Sequence, residues 1–199
     1  MSYRDELLAL GTKTEKVVVE IYRRFTAGLI DRETTVTIIA DIIAAANSRA
    51  VALADLALAA QLMADVQVPV ATAGIVRPVD DASRLAKAAS TVLVTAEASD
   101  VPEAIVARLA RSEPFTASQE AFTDAVEASG ITQGWIRGMS PGACQLCRWW
   151  WREGRVWPKQ HRMPTHPGCT CTPIPVVRDD IPHTGYTRRL AELNMEETA

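Results

Sequence analysis

The chain has 199 residues, 48% of them apolar, with 21 Lys and Arg against 24 Asp and Glu. That apolar share can bury a sizeable core and excludes a disordered chain, and no apolar run approaches the roughly 20 residues of a bilayer span, so no membrane partner is expected. The net charge of −3 conceals a split: residues 1–133 carry 12 basic and 18 acidic side chains, residues 134–178 carry 7 and 1, and residues 179–199 carry 2 and 5.

The opening, MSYRDELLALGTKTEK, lacks the basic-then-apolar order of a secretory signal, so the expectation is a chain made in a reducing cytosol. A first helix is predicted over residues 4–27, where Leu7, Leu10, Val17, Val18, Ile21 and Phe25 recur at helical spacing. Gly28 ends it, and Asp31 caps the next. The second helix runs over roughly residues 33–64, with an apolar stripe of Ile39, Ile42, Ile43, Ala46, Ala50, Leu53, Leu56, Ala60 and Met63. Pro69, Gly74 and Pro78 then break the pattern and mark a linker or hinge over residues 65–79. A third helix starts at Asp80 or Asp81 and carries Leu85, Ala89, Val92, Leu93 and Ala96. Asp100 with Glu103 reads as the capping box of a short helix ending near Arg111, and Thr116 with Gln119 as that of another ending near Gly130.

The expected fold is therefore mainly α: a multi-helix region over residues 1–130, a small β-module over 131–178, and a tail over 179–199. Within the module, Trp135 and Ile136 lie in a short strand between Gly134 and Gly138. RWWWREGRVWP reads as two strands around a turn at Glu153–Gly154, which puts Trp149 and Trp151 on one face. TPIPVV reads as an edge strand, where proline is tolerated. Tyr186 to about Glu196 reads as a docking helix or as a mobile tail.

All four cysteines lie between 144 and 171, a bunching that favours metal over disulfides in a cytosolic chain. Cys144 and Cys147 form a Cys-x-x-Cys knuckle, because two thiolates on one tight turn can face a single ion. His166 and Cys169 repeat the spacing, and Cys171 follows on the same side of an extended chain. Five candidates compete for four places around one structural Zn²⁺. Cys144, Cys147 and Cys169 are preferred, and the fourth is Cys171 or His166. A module of about forty residues has too little core to fold alone, so it needs such a staple or a docking surface. Trp149, Trp150, Trp151 and Trp157 are read as cover for the metal, or as an interaction surface together with Arg148, Arg152, Arg155 and Arg162.

Taken in order, Gly-Ala-Cys144-Gln-Leu-Cys147, Glu153-Gly-Arg-Val-Trp-Pro158 and Pro164-Thr-His166-Pro-Gly-Cys169-Thr-Cys171 resemble the MuF-like head morphogenesis, or minor capsid, proteins of tailed bacteriophages. The resemblance covers residues 134–177. Gln145 stands where the family has proline, and Thr170 where it has a basic residue. The likeness implies a low-copy, non-enzymatic virion component in the capsid interior near the portal, made in the host bacterial cytoplasm. It implies portal and major capsid proteins as partners, and a part in head assembly and genome packaging or ejection. The basic module could also touch packaged DNA through Arg148, Arg152, Arg155 and Arg162. Two alternatives stand beside it: a capsid maturation protease, and a zinc-containing module that binds nucleic acid. Ser140, His161 and His183 sit in no recognisable catalytic motif, and the acidic pairs Asp80–Asp81 and Asp179–Asp180 read as caps or solvated turns.

Overall fold

The computed structural model describes residues 2–76, 78 and 81–178. Among the described residues four long helices come first, and a fifth, short one lies between the first and second strands of a three-stranded sheet. Helix α1 spans Tyr3–Thr26 and opens with a reciprocal capping box between Ser2 and Asp5. Helix α2 spans Arg32–Val66, and its cap Asp31 accepts the Thr34 N–H at 2.7 Å. That bond holds the Asp31 carboxyl below its ordinary pKa. Helix α3 spans Asp81–Glu97 and α4 Pro102–Ala128.

Two of these helices differ from the sequence expectation. The two short helices split near residue 115 are one continuous α4, with Pro114 inside it. An interior proline costs a helix roughly 3 kcal/mol. Here the buried Val106 and Ala110 before it and Phe115, Ala117, Ala121 and Phe122 after it anchor both sides. Thr116 does not cap: its hydroxyl donates back to the Ser112 carbonyl, as a mid-helix threonine does. Neither does Asp100, since Val101 is the N-cap and no side chain caps it. In α2 the buried line shifts phase, running through Ala50, Val51, Ala54, Leu58 and Leu62, while Leu56 and Met63 face outward. In the VALADLALAA run the one polar residue, Asp55, is itself buried, so periodicity has no exposed polar face to anchor it. By length and composition α2 as a whole is long and apolar enough to cross a bilayer, a correction to the expectation. In this fold Ile39, Ile43, Val51, Leu58 and Leu62 are covered by the rest of the protein.

The helices share a core of Val18, Tyr22, Ile39, Ile43, Leu85, Leu93 and Val106. A polar network crosses it beside Asn47, whose side-chain amide reaches Asp81 and Glu113, while Arg84 bridges both carboxylates at 2.9 and 2.7 Å. After α2 the chain is non-helical as expected, yet it is tied down. The buried Asp55 carboxylate accepts the N–H groups of Ala73, Gly74 and Ile75 at 2.7, 2.8 and 3.1 Å.

The sheet has the order β2-β1-β3, all antiparallel, with β1 spanning Thr132–Gly138, β2 Trp157–Pro158 and β3 Thr172–Val177. β3 lies at an edge, where Pro173 and Pro175 need no ladder partner. β1 is crowded on both sides: a Cβ at Gly134 would overlap the Trp157 carbonyl oxygen. A second apolar cluster joins Val51, Ala54, Leu58 and Leu62 of α2 and Phe122 and Val126 of α4 to Trp135 and Met163. The sheet is thereby packed against the helices rather than set apart from them. Asp80, His183, the pair Asp179–Asp180 and the helix expected from Tyr186 to Glu196 lie outside the described residues.

Candidate metal centre

The Cys144–Cys147 knuckle is the first turn of a further short helix, α5, spanning Gln145–Trp151 with Cys144 as its N-cap. The Arg148 N–H donates to the Cys144 carbonyl at 3.1 Å, and the backbone N–H of Cys147 reaches the Cys144 sulfur. That bond holds the Cys144 thiol below its ordinary value. The helix overturns the expected tryptophan hairpin. Once the knuckle has adopted a helical turn, one more turn carries the chain through the three tryptophans. Trp149 and Trp151 then point apart, and Trp149 is 64% exposed. The reversal at Glu153–Gly154 is real: Arg152, Glu153 and Gly154 all lie at positive φ. It leads into the short strand at Trp157.

The second knuckle is a turn through Pro167 and Gly168, closed by the Cys169 N–H to the His166 carbonyl at 2.9 Å. Gly168 adopts φ +83, which suits glycine, and its N–H donates to the Ser112 hydroxyl of α4 at 3.1 Å. His166 Nδ1 lies 3.1 Å from the Pro167 carbonyl. A carbonyl only accepts, so Nδ1 carries the proton and Nε2 presents its lone pair to the sulfurs. Nε2 lies 3.3 Å from Cys144 Sγ and 3.2 Å from Cys147 Sγ.

All five sequence candidates converge. Two groups of three donors each lie within 4.8 Å of one another, Cys144–Cys147–His166 and Cys147–Cys169–Cys171, with Cys147 common to both. Cys147 Sγ is 3.6 Å from Cys169 Sγ, and all four cysteines are unbridged. A tetrahedral ion with bonds of about 2.0–2.3 Å would separate its donors by roughly 3.3–3.8 Å, so the close contacts within each group approach the scale of a metal cage. The cluster can hold a metal ion. No family model, curated protein or solved structure matches the chain.

Cys147, Cys169 and Cys171 are buried, while Cys144 is exposed. Burial pushes the Cys147 thiol up to about 11. Cys169 and Cys171 divide a proton: a hydrogen bond from Cys169 pulls Cys171 down to about 4 and holds Cys169 up. The exposed edge of the cluster opens on a groove of about 550 Å³, lined by Val92, Ile105 and Leu109 as well as His166.

Two residues at the site carried no signal in the sequence. Gln119, fully buried on α4, donates from Nε2 to the carbonyls of Cys171 at 2.6 Å and Cys169 at 3.2 Å. The sequence makes it half of a capping box; in the continuous α4 it is instead the strut to the second knuckle. Arg137, 1% exposed on β1, reaches the sulfurs of Cys147 and Cys169 with Nη1, each at 3.8 Å, and the Pro164 carbonyl with Nη2. Its guanidinium lies 5.2 Å from the centre of the Trp150 ring. Strand alternation puts Arg137 on the face of the buried Trp135, but an arginine is ordinarily read as facing solvent.

The other singled-out residues are engaged elsewhere. Arg162 pairs with Asp124 at 2.8 Å, and Arg155 lies over the Trp157 ring at 4.6 Å. Arg148 donates to the Ala143 carbonyl at 3.2 Å. The Ser140 hydroxyl is 3.6 Å from Cys171 Sγ, and the His161 ring stacks on Trp157 at 4.5 Å. Trp135 is fully buried, stacks on Trp157 at 6.0 Å and donates its indole N–H to the His161 carbonyl at 2.6 Å. The main tryptophan of the core is thus Trp135, not one of the triplet.

Proposed function

We propose that this chain is a structural minor capsid protein of a tailed bacteriophage, similar to the MuF-like head morphogenesis proteins, whose C-terminal module is stapled by one zinc ion. The observation that carries the reading is the convergence of Cys144, Cys147, His166, Cys169 and Cys171, which belong to two of the three sequence blocks behind the resemblance. The remaining block supplies the Glu153–Gly154 reversal and β2. Thiolates with one imidazole in a tetrahedral cage suit Zn²⁺ among the common metals. Four protein donors leave no place for a reactive water, so the ion serves folding rather than hydrolysis.

In this reading the helical body makes assembly contacts with the portal and the major capsid protein inside the head. The basic module faces packaged DNA or an acidic rim of the portal. Arg148 on α5 and Arg152 just past its end, beside the exposed Trp149, are the better candidates for that contact, because Arg162 is paired with Asp124. Counting copies in purified virions tests the proposal. A few copies per particle are expected, and absence from particles overturns it. The exposed Trp149 between Arg148 and Arg152 favours a second reading, a zinc-containing module that binds nucleic acid. That reading requires affinity for isolated DNA that falls steeply with salt.

A further inference from the structure

We propose that the outer face of α5 is a docking surface for single-stranded DNA, with Trp149 stacked on an unpaired base and Arg148 and Arg152 on the flanking phosphates. The inference rests on the reading above in which this face meets DNA, and it names the form of DNA taken. The short helix has two sides. Cys147 is buried in the donor cluster, and Trp150 turns the same way, with its ring 6.0 Å from that of His166 and 5.2 Å from the Arg137 guanidinium. Trp150 therefore covers the candidate metal centre, and Trp149 is not needed for that task. Trp149 stands exposed instead, with the exposed Leu146 one turn before it, Arg148 beside it and Arg152 at the helix C-cap.

Two properties of this face select the ligand. The first is its charge. Glu153 is the sole acidic side chain in residues 134–178. Among the described residues Arg148 meets the Ala143 carbonyl and Arg155 the Trp157 ring, and neither they nor Arg152 has a carboxylate partner. Such a face complements a polyanion. The second property is its apolar centre, an indole beside a leucine. Duplex DNA turns phosphates and sugars outward and keeps its bases stacked on one another, so it answers the arginines and leaves the indole uncovered. A single strand offers phosphates and flat apolar base faces side by side. Stacking of such a base on an aromatic ring is indifferent to base identity, because every base has a π-face.

The test uses the full chain as purified, a labelled oligothymidylate of about 12 nucleotides and a duplex of the same length. The parent should prefer the single strand. Trp149→Ala should weaken single-strand binding by about 5- to 150-fold, the loss of one base stack, and duplex binding little. Trp149→Phe keeps a stacking ring and should recover much of that loss. Both variants should keep the parent's metal content and salt dependence, because the indole carries no charge, whereas Arg148→Glu should flatten the salt slope by roughly one unit. Equal affinity of the parent for the two forms, or parental single-strand affinity in Trp149→Ala, overturns the inference while leaving a module that touches DNA. Equal losses in the Ala and Phe variants would make shape rather than stacking the role of Trp149, and would overturn it as well. A parent chain that binds neither form overturns the DNA reading of this face and this inference together. Should Trp149→Ala fail to fold, the parent's preference and the Phe variant still decide the matter.

Discussion

The helical body and the cysteine-bearing module are held by different physics. Helices α1–α4 are secured by apolar burial spread over all four, so no single contact is indispensable. Residues 140–171 hold little regular structure beyond α5, and the elements there are joined by five donors, one guanidinium and one amide. Burial of many side chains is redundant and tolerant of change. A small set of polar donors is neither, because each unsatisfied buried group costs free energy. The module should therefore respond sharply and locally to single substitutions, and the body gradually and globally.

The largest expected effect is at Cys147, the sulfur common to both groups of donors. Cys147→Ser should abolish zinc uptake and expose the amides of β1 and β3 to hydrogen exchange, since structural metal binding is folding free energy of order 10 kcal/mol. Protection in α1–α4 should persist. If α2 and α4 lose protection together with β1, the two regions do not differ as described.

Leu93→Ala should lower global stability by about 2–5 kcal/mol, the cost of a buried leucine and its cavity. Denaturant unfolding would measure this, and zinc stoichiometry should remain that of the parent. Gln119→Ala removes the strut to the Cys169 and Cys171 carbonyls and should cost about 1–3 kcal/mol. It should also hasten extraction of the metal by chelators, and an unchanged extraction rate would sever the proposed link between α4 and the knuckle. Arg152→Glu should be the mildest change, within about 0.5 kcal/mol in stability. Its effect should fall on binding: if phosphate is the contact, charge reversal flattens the salt dependence of DNA affinity by roughly one unit.

The same contrast governs what the sequence revealed. Helix α1 was legible because Leu7 and Val18 stand against a polar face and Gly28 closes the end. The later part of α2 was misphased because Ala and Leu surround it on every side, leaving tertiary contacts alone to choose the buried line. The helix break near Pro114 was expected from local rules and overridden by Phe115 and its neighbours. The five clustered side chains were legible because Cys-x-x-Cys and His-Pro-x-Cys-x-Cys are local spacings with a chemical reason. Their supports were not: Arg137 and Gln119 act on partners at least 10 and 50 residues away, and neither position departs from ordinary strand or helix composition. The tryptophan triplet misled for a related reason, since aromatic runs favour strands until a neighbouring knuckle imposes a helical turn.

The account turns on whether the converged donors hold an ion that staples the module. Metal analysis of the purified chain, joined to hydrogen exchange before and after chelation, addresses it most directly. One zinc per chain is predicted, with chelation exposing β1, β3 and α5 while α1–α4 stay protected. A chain without bound metal, whose four thiols react freely and whose exchange pattern is indifferent to chelator, would contradict it.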